Sequence, residues 1–98
     1  MAVQSAYVDN LGNSLVVDGQ MVILPGIVPG VSGPPNFGPY PMILNGVVIP
    51  TNADGPAAMR AAGMRALSDP PSTMYNVTIN GTPLVLNQQQ FFSLFLGF

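Results

Sequence analysis

The side chains of this sequence that could transfer a proton in catalysis belong to two residue types, aspartate and tyrosine. The 98 residues contain no His, Cys, Lys or Glu, the types that most often serve as catalytic bases or nucleophiles beside aspartate. General acid-base chemistry therefore has few candidates, and we expect no enzyme. The candidates that remain are Asp9, Asp18, Asp54, Asp69, Tyr7, Tyr40 and Tyr75.

One acid-base chemistry can be tested directly on the sequence, because homodimeric retroviral-type aspartic proteases have chains of about this length. Their catalytic loop requires Asp-Thr-Gly or Asp-Ser-Gly. Here Asp18 and Asp54 are followed directly by Gly19 and Gly55, which favours a hairpin turn at the first pair and the start of a helix at the second. The pattern argues against a protease and predicts no catalytic residue.

Oxygen ligands for a metal ion come close together in sequence at one place. Asp9, Asn10 and Asn13 could supply them, but they lack the Asp-x-Asp-x-Asp-Gly spacing of a calcium loop, so a turn is the better interpretation. Without His or Cys, a tight transition-metal site has no ligands. We therefore expect no metal and no cofactor.

The composition indicates a surface that other molecules cover. Charged residues make up 6% of the chain and hydrophobic residues 48%, whereas a free globular domain carries about 25% charged residues. A chain of 98 residues holds one small core, and with no Cys it has no disulfide to support that core. We expect a single β-rich domain over 1–98 that gains stability from copies of itself or from a larger partner.

Two classes of partner are disfavoured by the same composition. Two arginines and a net charge of −2 cannot follow a phosphate backbone, so we expect no nucleic-acid binding. The most apolar stretch, Met21 to Val31, is interrupted by Pro25 and Pro29 and is shorter than the roughly 20 residues that span a bilayer. The first residues show neither a basic nor a continuous apolar region, so no signal peptide is expected.

Three Asp-Gly or Asn-Gly pairs predict three β-hairpins, because a two-residue turn needs positive φ at both positions. The pairs are 18–19, 45–46 and 80–81, and each is flanked by apolar and β-branched residues. Pro83 cannot donate to a ladder, so its strand is expected at a sheet edge or starting after the proline. The fold class is mainly β, a small antiparallel sheet, sandwich or barrel built from these hairpins.

A long arm separates the first hairpin from the second. In residues 25–41, 10 of 17 residues are Gly or Pro, which predicts an extended arm or a loop rather than a helix or a central strand. The arm could lie across a neighbouring subunit or fold back on its own sheet. Its apolar side chains are the first set of partner-contact candidates: Ile27, Val28, Val31, Phe37 and Tyr40.

One helix is expected, from about residue 56 to residue 67. Pro56 suits the first helical turn, Asp54 can favour the positive end of the helix, and Asp69-Pro70-Pro71 ends it. We expect Met59, Met64 and Leu67 to form its apolar stripe.

The segment 87–98 is the most concentrated apolar part of the chain and must be buried, either in its own core or on a partner. Its alternation suits a strand, with Phe91 and Phe95 on one face and Phe92 and Leu94 on the other. The second set of partner-contact candidates comes from this tail: Phe91, Phe92, Leu94, Phe95, Leu96 and Phe98.

In composition alone, the whole chain resembles the small accessory structural proteins of virus particles, which are short, nearly uncharged and rich in Gly, Pro and Asn-Gly turns. This resemblance implies a capsid decoration or cement protein, assembled into a virion in the cytoplasm of its host. Its partners would be other copies of the chain or a larger capsid protein. Two alternatives stay open: a β-sandwich ligand-binding or adhesin-like module that uses Phe37 and Tyr40, and a membrane-surface protein anchored by the Phe/Leu tail. Few basic residues near that tail make the membrane alternative the weakest.

Overall fold

The computed structural model describes residues 4–11, 14–31 and 33–97. These residues form a mainly β structure with two antiparallel sheets and two helices, as expected from the sequence. The elements, in chain order, are β1 (Ala6–Val8), β2 (Ser14–Val17), β3 (Gln20–Ile23), β4 (Met42–Leu44), β5 (Val47–Ile49), α1 (Gly55–Ala66), β6 (Tyr75–Ile79), β7 (Thr82–Leu86) and α2 (Gln88–Leu96). The first sheet has the order β1-β2-β3 and the second the order β5-β4-β6-β7.

All three predicted hairpins are present, and each turns at its Asp-Gly or Asn-Gly pair. Asp18, Asn45 and Asn80 have φ of 51°, 47° and 50°, and the glycine after each also has positive φ. Both turn residues therefore lie in the left-handed region, as a two-residue turn between twisted strands requires. Local turn chemistry sets the register of all three hairpins.

In two of these turns, the side chain of the first turn residue also bonds the hairpin to a third segment of chain. The amide of Asn45 donates to the carbonyl of Asn76 (2.8 Å), while the amide of Asn76 donates to Asn45 Oδ1 (3.0 Å). The same pair of bonds joins Asp18 to Ser5, at 3.0 Å each. The first turn residue thus extends the ladder towards the neighbouring strand with its own side chain.

Asn45 and Asn80 form a matched pair for testing this contact. Alanine at either position has to adopt positive φ, which costs about 1 kcal/mol. Asn45→Ala also removes the acceptor for the Asn76 amide, so we expect it to lower the free energy of unfolding by about 0.5–1.5 kcal/mol more than Asn80→Ala. Urea denaturation of the two variants measures this difference. Equal losses would mean that the Asn45 side chain contributes only through its backbone conformation.

The predicted helix is confirmed as α1, although its buried stripe differs from the expected one. Met59 is buried, but Met64 and Leu67 are exposed. At 100° per residue, positions 59 and 64 lie about 140° apart and cannot share a narrow stripe. The buried side follows the spacing i, i+3, i+4, i+7 and consists of Met59, Ala62, Gly63 and Ala66.

The expected strand in the apolar tail is wrong, because this segment forms the helix α2. Asn87 caps its first turn: Asn87 Oδ1 accepts from the amide of Gln90, and Gln90 Oε1 accepts from the amide of Asn87, both at 2.8 Å. The buried residues Phe91, Leu94 and Phe95 follow helical spacing. Gly97 ends the helix in the left-handed region with φ of 77°.

Both sheets and both helices contribute to one hydrophobic core. A stack of three rings links sheet and helix: Tyr75 of β6 lies on Phe91 at 4.0 Å between ring centroids, and Phe91 lies on Phe95 at 4.3 Å. The side chain of Gln90, 5% exposed, reaches from α2 to the first hairpin, where its Nε2 donates to Asp18 Oδ2 at 2.7 Å. Within the described residues, the tail therefore packs one side of α2 into the protein's own core.

The Pro/Gly arm folds back on its own protein, which is the second of the two arrangements left open by the sequence. Val28 and Asn36 form an antiparallel bridge, with N–H to O distances of 2.9 and 2.8 Å. Ile27 and Phe37 beside this bridge are buried in the core. The Tyr40 hydroxyl donates to the carbonyl of Pro25 and closes the loop where it leaves the first sheet.

Candidate interaction surface

The outer face of the three-stranded sheet, here called the small-sheet face, carries large apolar side chains. The register places Tyr7 of β1 and Met21 of β3 on either side of Val16, and Ile23 beside Ser14. Met21 is 61% exposed and Ile23 72% exposed, while Val16 between the outer strands is buried. An apolar strip therefore crosses this sheet on the side away from the core.

The outer face of the four-stranded sheet, here called the large-sheet face, has the same character. One row in register runs across all four strands through Val48, Ile43, Thr78 and Pro83. Val85 extends this face along β7, opposite Asn76. Val48 is 69% exposed and Val85 60% exposed. In the described residues, both helices pack towards the shared core, so this face is open.

Neither face bears an Asp or Arg side chain, because none of the six charged residues lies in a strand. Asp9 and Asp18 lie in turns of the first sheet. The other four lie next to or in α1, at positions 54, 60, 65 and 69. Exposed apolar surface without charge is typical of protein contact sites rather than of solvated sheet faces.

Two of the clefts on the surface of the described residues lie beside strands of the sheets. One, of about 300 Å³, runs beside β1 and is bordered by the arm at Pro29 and Gly30 and by Ser93 of α2. The other, of about 240 Å³, lies between β4, β5 and the end of α1, with Arg65, Asp69 and Tyr75 in its wall.

Among the Asp and Tyr side chains that could transfer a proton, Tyr75 is the one with a buried ring and a hydroxyl hydrogen-bonded to a carboxylate. Its hydroxyl donates to Asp69 Oδ2 at 2.9 Å, and its ring lies in the core. Burial, assisted by the Asp69 carboxylate, raises the pKa of Tyr75 above its ordinary value. A phenol with a raised pKa stays protonated at neutral pH, so Tyr75 serves as a hydrogen-bond donor that fixes the segment after α1.

The remaining candidates for chemistry do not form a common site. In the part of the chain that the structure describes, no three His, Cys, Asp or Glu side chains come together as a possible metal-binding group. Asp9 Oδ1 accepts from the Leu11 amide, which is the turn expected for this segment, and Asn13 lies outside the described residues. None of the helices in 4–11, 14–31 and 33–97 has the length and hydropathy needed to cross a membrane.

The predicted contact residues divide into an exposed and a buried group. From the arm, Val28 and Val31 are exposed, whereas Ile27 and Phe37 are buried and Tyr40 is half-buried. From the tail, Phe92 is half-buried and Phe98 lies outside the described residues. The side chains that the tail buries in its own core, and so does not present to a partner, are Phe91, Leu94, Phe95 and Leu96.

The two outer faces were not expected from the sequence. Their signal was present, because Met21-Val-Ile and Val47-Val-Ile are continuous apolar runs within hairpins. A strand with one wet face alternates apolar and polar residues, whereas a continuous run is typical of a strand covered on both sides. These runs therefore indicated apolar side chains on both faces of the strands.

No family model, curated protein or solved structure matches this chain.

Proposed function

We propose that this chain is a structural assembly protein, a small virion component of the capsid decoration or cement kind, that works through protein contacts and not through catalysis. The observation that carries the proposal is the pair of uncharged outer faces, on which Met21, Ile23, Val48 and Val85 are each more than half exposed. Large apolar side chains at such exposure favour burial by about 1.5–3 kcal/mol each when fully covered.

The arrangement of charge supports the same proposal. All charged side chains lie in turns or at α1, so contact across either sheet face desolvates no charge. Desolvating an unpaired charge is expensive, and interface centres are accordingly depleted of charged residues. Two such faces on one small body suit a component that joins copies of itself to each other and to a larger assembly protein.

The two alternatives receive less support from the geometry. A ligand-binding module would use Phe37 and Tyr40, but the Phe37 ring is buried and the Tyr40 hydroxyl is bonded within the arm. A membrane anchor built from the tail would have to withdraw Phe91 and Phe95 from the core. Each alternative requires contacts that the fold already uses internally.

The test is the mass of the purified full chain as its concentration is raised, measured by light scattering or sedimentation. We expect self-association that grows with concentration. In the variant Val48→Lys/Val85→Lys, two charges on the large-sheet face should reduce the largest species formed. Substitutions at exposed strand positions change stability by only about 0.5 kcal/mol, so the melting temperature checks that the fold is retained.

The matched control adds the same two charges to the exposed side of α1, in Ala57→Lys/Ala61→Lys. This control should associate like the natural chain. A natural chain that stays a single copy at every concentration would remove the support for assembly. If this control loses self-association as readily as Val48→Lys/Val85→Lys does, the loss results from the change in net charge and not from the large-sheet face.

A further inference from the structure

The strand β3 has an open hydrogen-bonding edge. It forms one side of the three-stranded sheet and, among strands of the described residues, pairs only with β2, in the register Val17↔Gln20 to Ser14↔Ile23. In a two-residue hairpin, the residues flanking the turn exchange both backbone bonds, and the bonded pairs then alternate along the strands. Gln20 and Val22 therefore bond to β2, and the N–H and C=O groups of Met21 and Ile23 point outward.

The other three edges in the described residues are each partly blocked. On β7, outward-facing positions are 83 and 85, and Pro83 removes one of the two outward N–H donors while leaving the ladder to β6 intact. β5 offers only Val48 outward before the chain reaches Pro50. β1 is bordered by the arm, whose Pro29 and Gly30 line the cleft beside it. β3 has no proline, charge or bulge, and no loop among the described residues covers it; these are the devices that normally block an edge.

We infer that β3 pairs antiparallel with β3 of a second copy of this chain, joining two three-stranded sheets into one of six strands. This inference rests on the proposed assembly function and names its first contact. The edge between Gly19 of the turn and Pro25 comprises residues 20–24 and is centred on Val22. A two-fold axis at Val22 therefore uses the whole edge and pairs Met21 of each copy with Ile23 of the other.

The charges favour a second copy in this register. Residues 20–24 carry no charge, so pairing the strand with itself brings no like charges together. The nearest charged group is Asp18 in the turn. In the antiparallel register, the two Asp18 residues lie at opposite ends of the contact between the two β3 strands, here called the joint. They are about 26 Å apart at about 3.3 Å per residue, whereas a parallel register would place them side by side.

The joint consists of backbone hydrogen bonds and of apolar side chains on one face. Met21 and Ile23 of each copy donate to and accept from the other, which makes four backbone hydrogen bonds. Their side chains lie on the small-sheet face and extend its apolar strip across the axis. An edge contact covers less area than the roughly 800 Å² per partner of a stable complex, so the dimer should form in a concentration-dependent way.

Amide hydrogen exchange on the full chain, at a series of concentrations, provides the first test. The Met21 and Ile23 amides should exchange rapidly in the single copy and become protected at the concentrations where the mass doubles. The Val22 amide bonds to β2 in both states and serves as the internal control. Association with rapid exchange at Met21 and Ile23 would overturn the β3 joint and leave the assembly proposal standing.

A charge-swap pair provides the second test. Met21→Lys/Ile23→Lys and Met21→Glu/Ile23→Glu each place like charges opposite one another across the axis, so each alone should dimerise at least about tenfold more weakly than the natural chain. Mixed in equal amounts, they should form a heterodimer, because opposite charges then face each other.

The control for the swap is Val85→Lys at the proline-protected edge, which should leave the dimer unchanged. If the like-charged variants dimerise as well as the natural chain, β3 is not the joint. If the natural chain itself never exceeds one copy, the assembly proposal fails together with the inference. Melting curves of every variant show whether a loss of dimer reflects a loss of fold.

Discussion

Replacing Phe95 with alanine is expected to lower the free energy of unfolding by about 3–5 kcal/mol, the usual loss for a large aromatic removed from a packed core. Phe95 is 0% exposed, and its ring stacks on Phe91, which stacks in turn on Tyr75. Domains of this size have a total stability of about 5–15 kcal/mol, so the variant should lose a large share of it. Urea denaturation followed by circular dichroism measures the change.

Phe92→Ala is the matched control for this prediction, because it removes the same ring from the neighbouring position of α2, where the side chain is only half-buried. We expect it to cost clearly less than Phe95→Ala. The comparison also tests whether the tail packs within its own chain. A tail that packs on a partner would make Phe95→Ala weaken association and leave the stability of the single copy unchanged.

Gly63→Ala is expected to destabilise the protein by about 1–2 kcal/mol, although helix propensity alone predicts a gain of about 1 kcal/mol. A Cβ atom at Gly63 would lie 2.6 Å from Leu96 Cδ2 and 2.7 Å from Leu96 Cγ. The Cγ atom is a branch point in a buried side chain, so relieving the overlap moves two methyl groups and part of the α1 to α2 packing. Thermal or urea denaturation gives the sign.

Two further variants isolate the cause. Ala61→Gly lies on the exposed side of α1 and therefore changes helix propensity without changing core packing. It should lower the free energy of unfolding by about 1 kcal/mol. Leu96→Ala removes the side chain that Gly63 accommodates, so in its background Gly63→Ala should be neutral or stabilising. A stabilising effect of Gly63→Ala in the natural chain would show that the two helices have room to separate.

The parts of the fold that the sequence predicted are those set by local chemistry. Three turns were placed because a pair such as Asn45-Gly46 combines two residues that tolerate positive φ, and this requirement does not depend on the rest of the chain. The helix α1 was placed for a similar reason, by Pro56 at its start and by the prolines beyond Asp69. Neither prediction required knowledge of a distant contact.

The tail was predicted as a strand, and this was wrong because its apolar residues fit both the alternation of a strand and the spacing of a helix. Over a stretch as short as 91–96, alternation and helical spacing select overlapping sets, and hydrophobicity alone does not separate them. Asn87 and Gln90 did carry the deciding signal, since an amide cap three residues before another amide marks a helix start. The folding back of the arm could not be predicted, because it depends on the burial of Ile27 and Phe37 in a core that forms only when both sheets and both helices have come together.

The exposed apolar side chains lie elsewhere than the sequence predicted. The shortage of charge indicated apolar surface, and the arm and the tail were expected to supply it because they are the most unusual segments of the sequence. The exposed side chains lie instead mainly on the strands, at Met21, Ile23, Val48 and Val85. Which side of a strand faces the core follows from register and from the position of the helices, and both are properties of the assembled fold.

The hydrogen bond between Gln90 and Asp18 bears on the order in which the molecule folds. It joins groups 72 residues apart. Gln90 reaches Asp18 only after both the first hairpin and α2 have formed. Closing a loop over such a span costs more chain entropy than closing a hairpin, and contacts of high sequence separation slow folding. The hairpins should therefore form early as fleeting local structures, and α2 should lock them late. Until α2 has formed, the strand edges stay accessible. Crowding of chains during synthesis therefore favours pairing between the strand edges of different chains before each chain has folded.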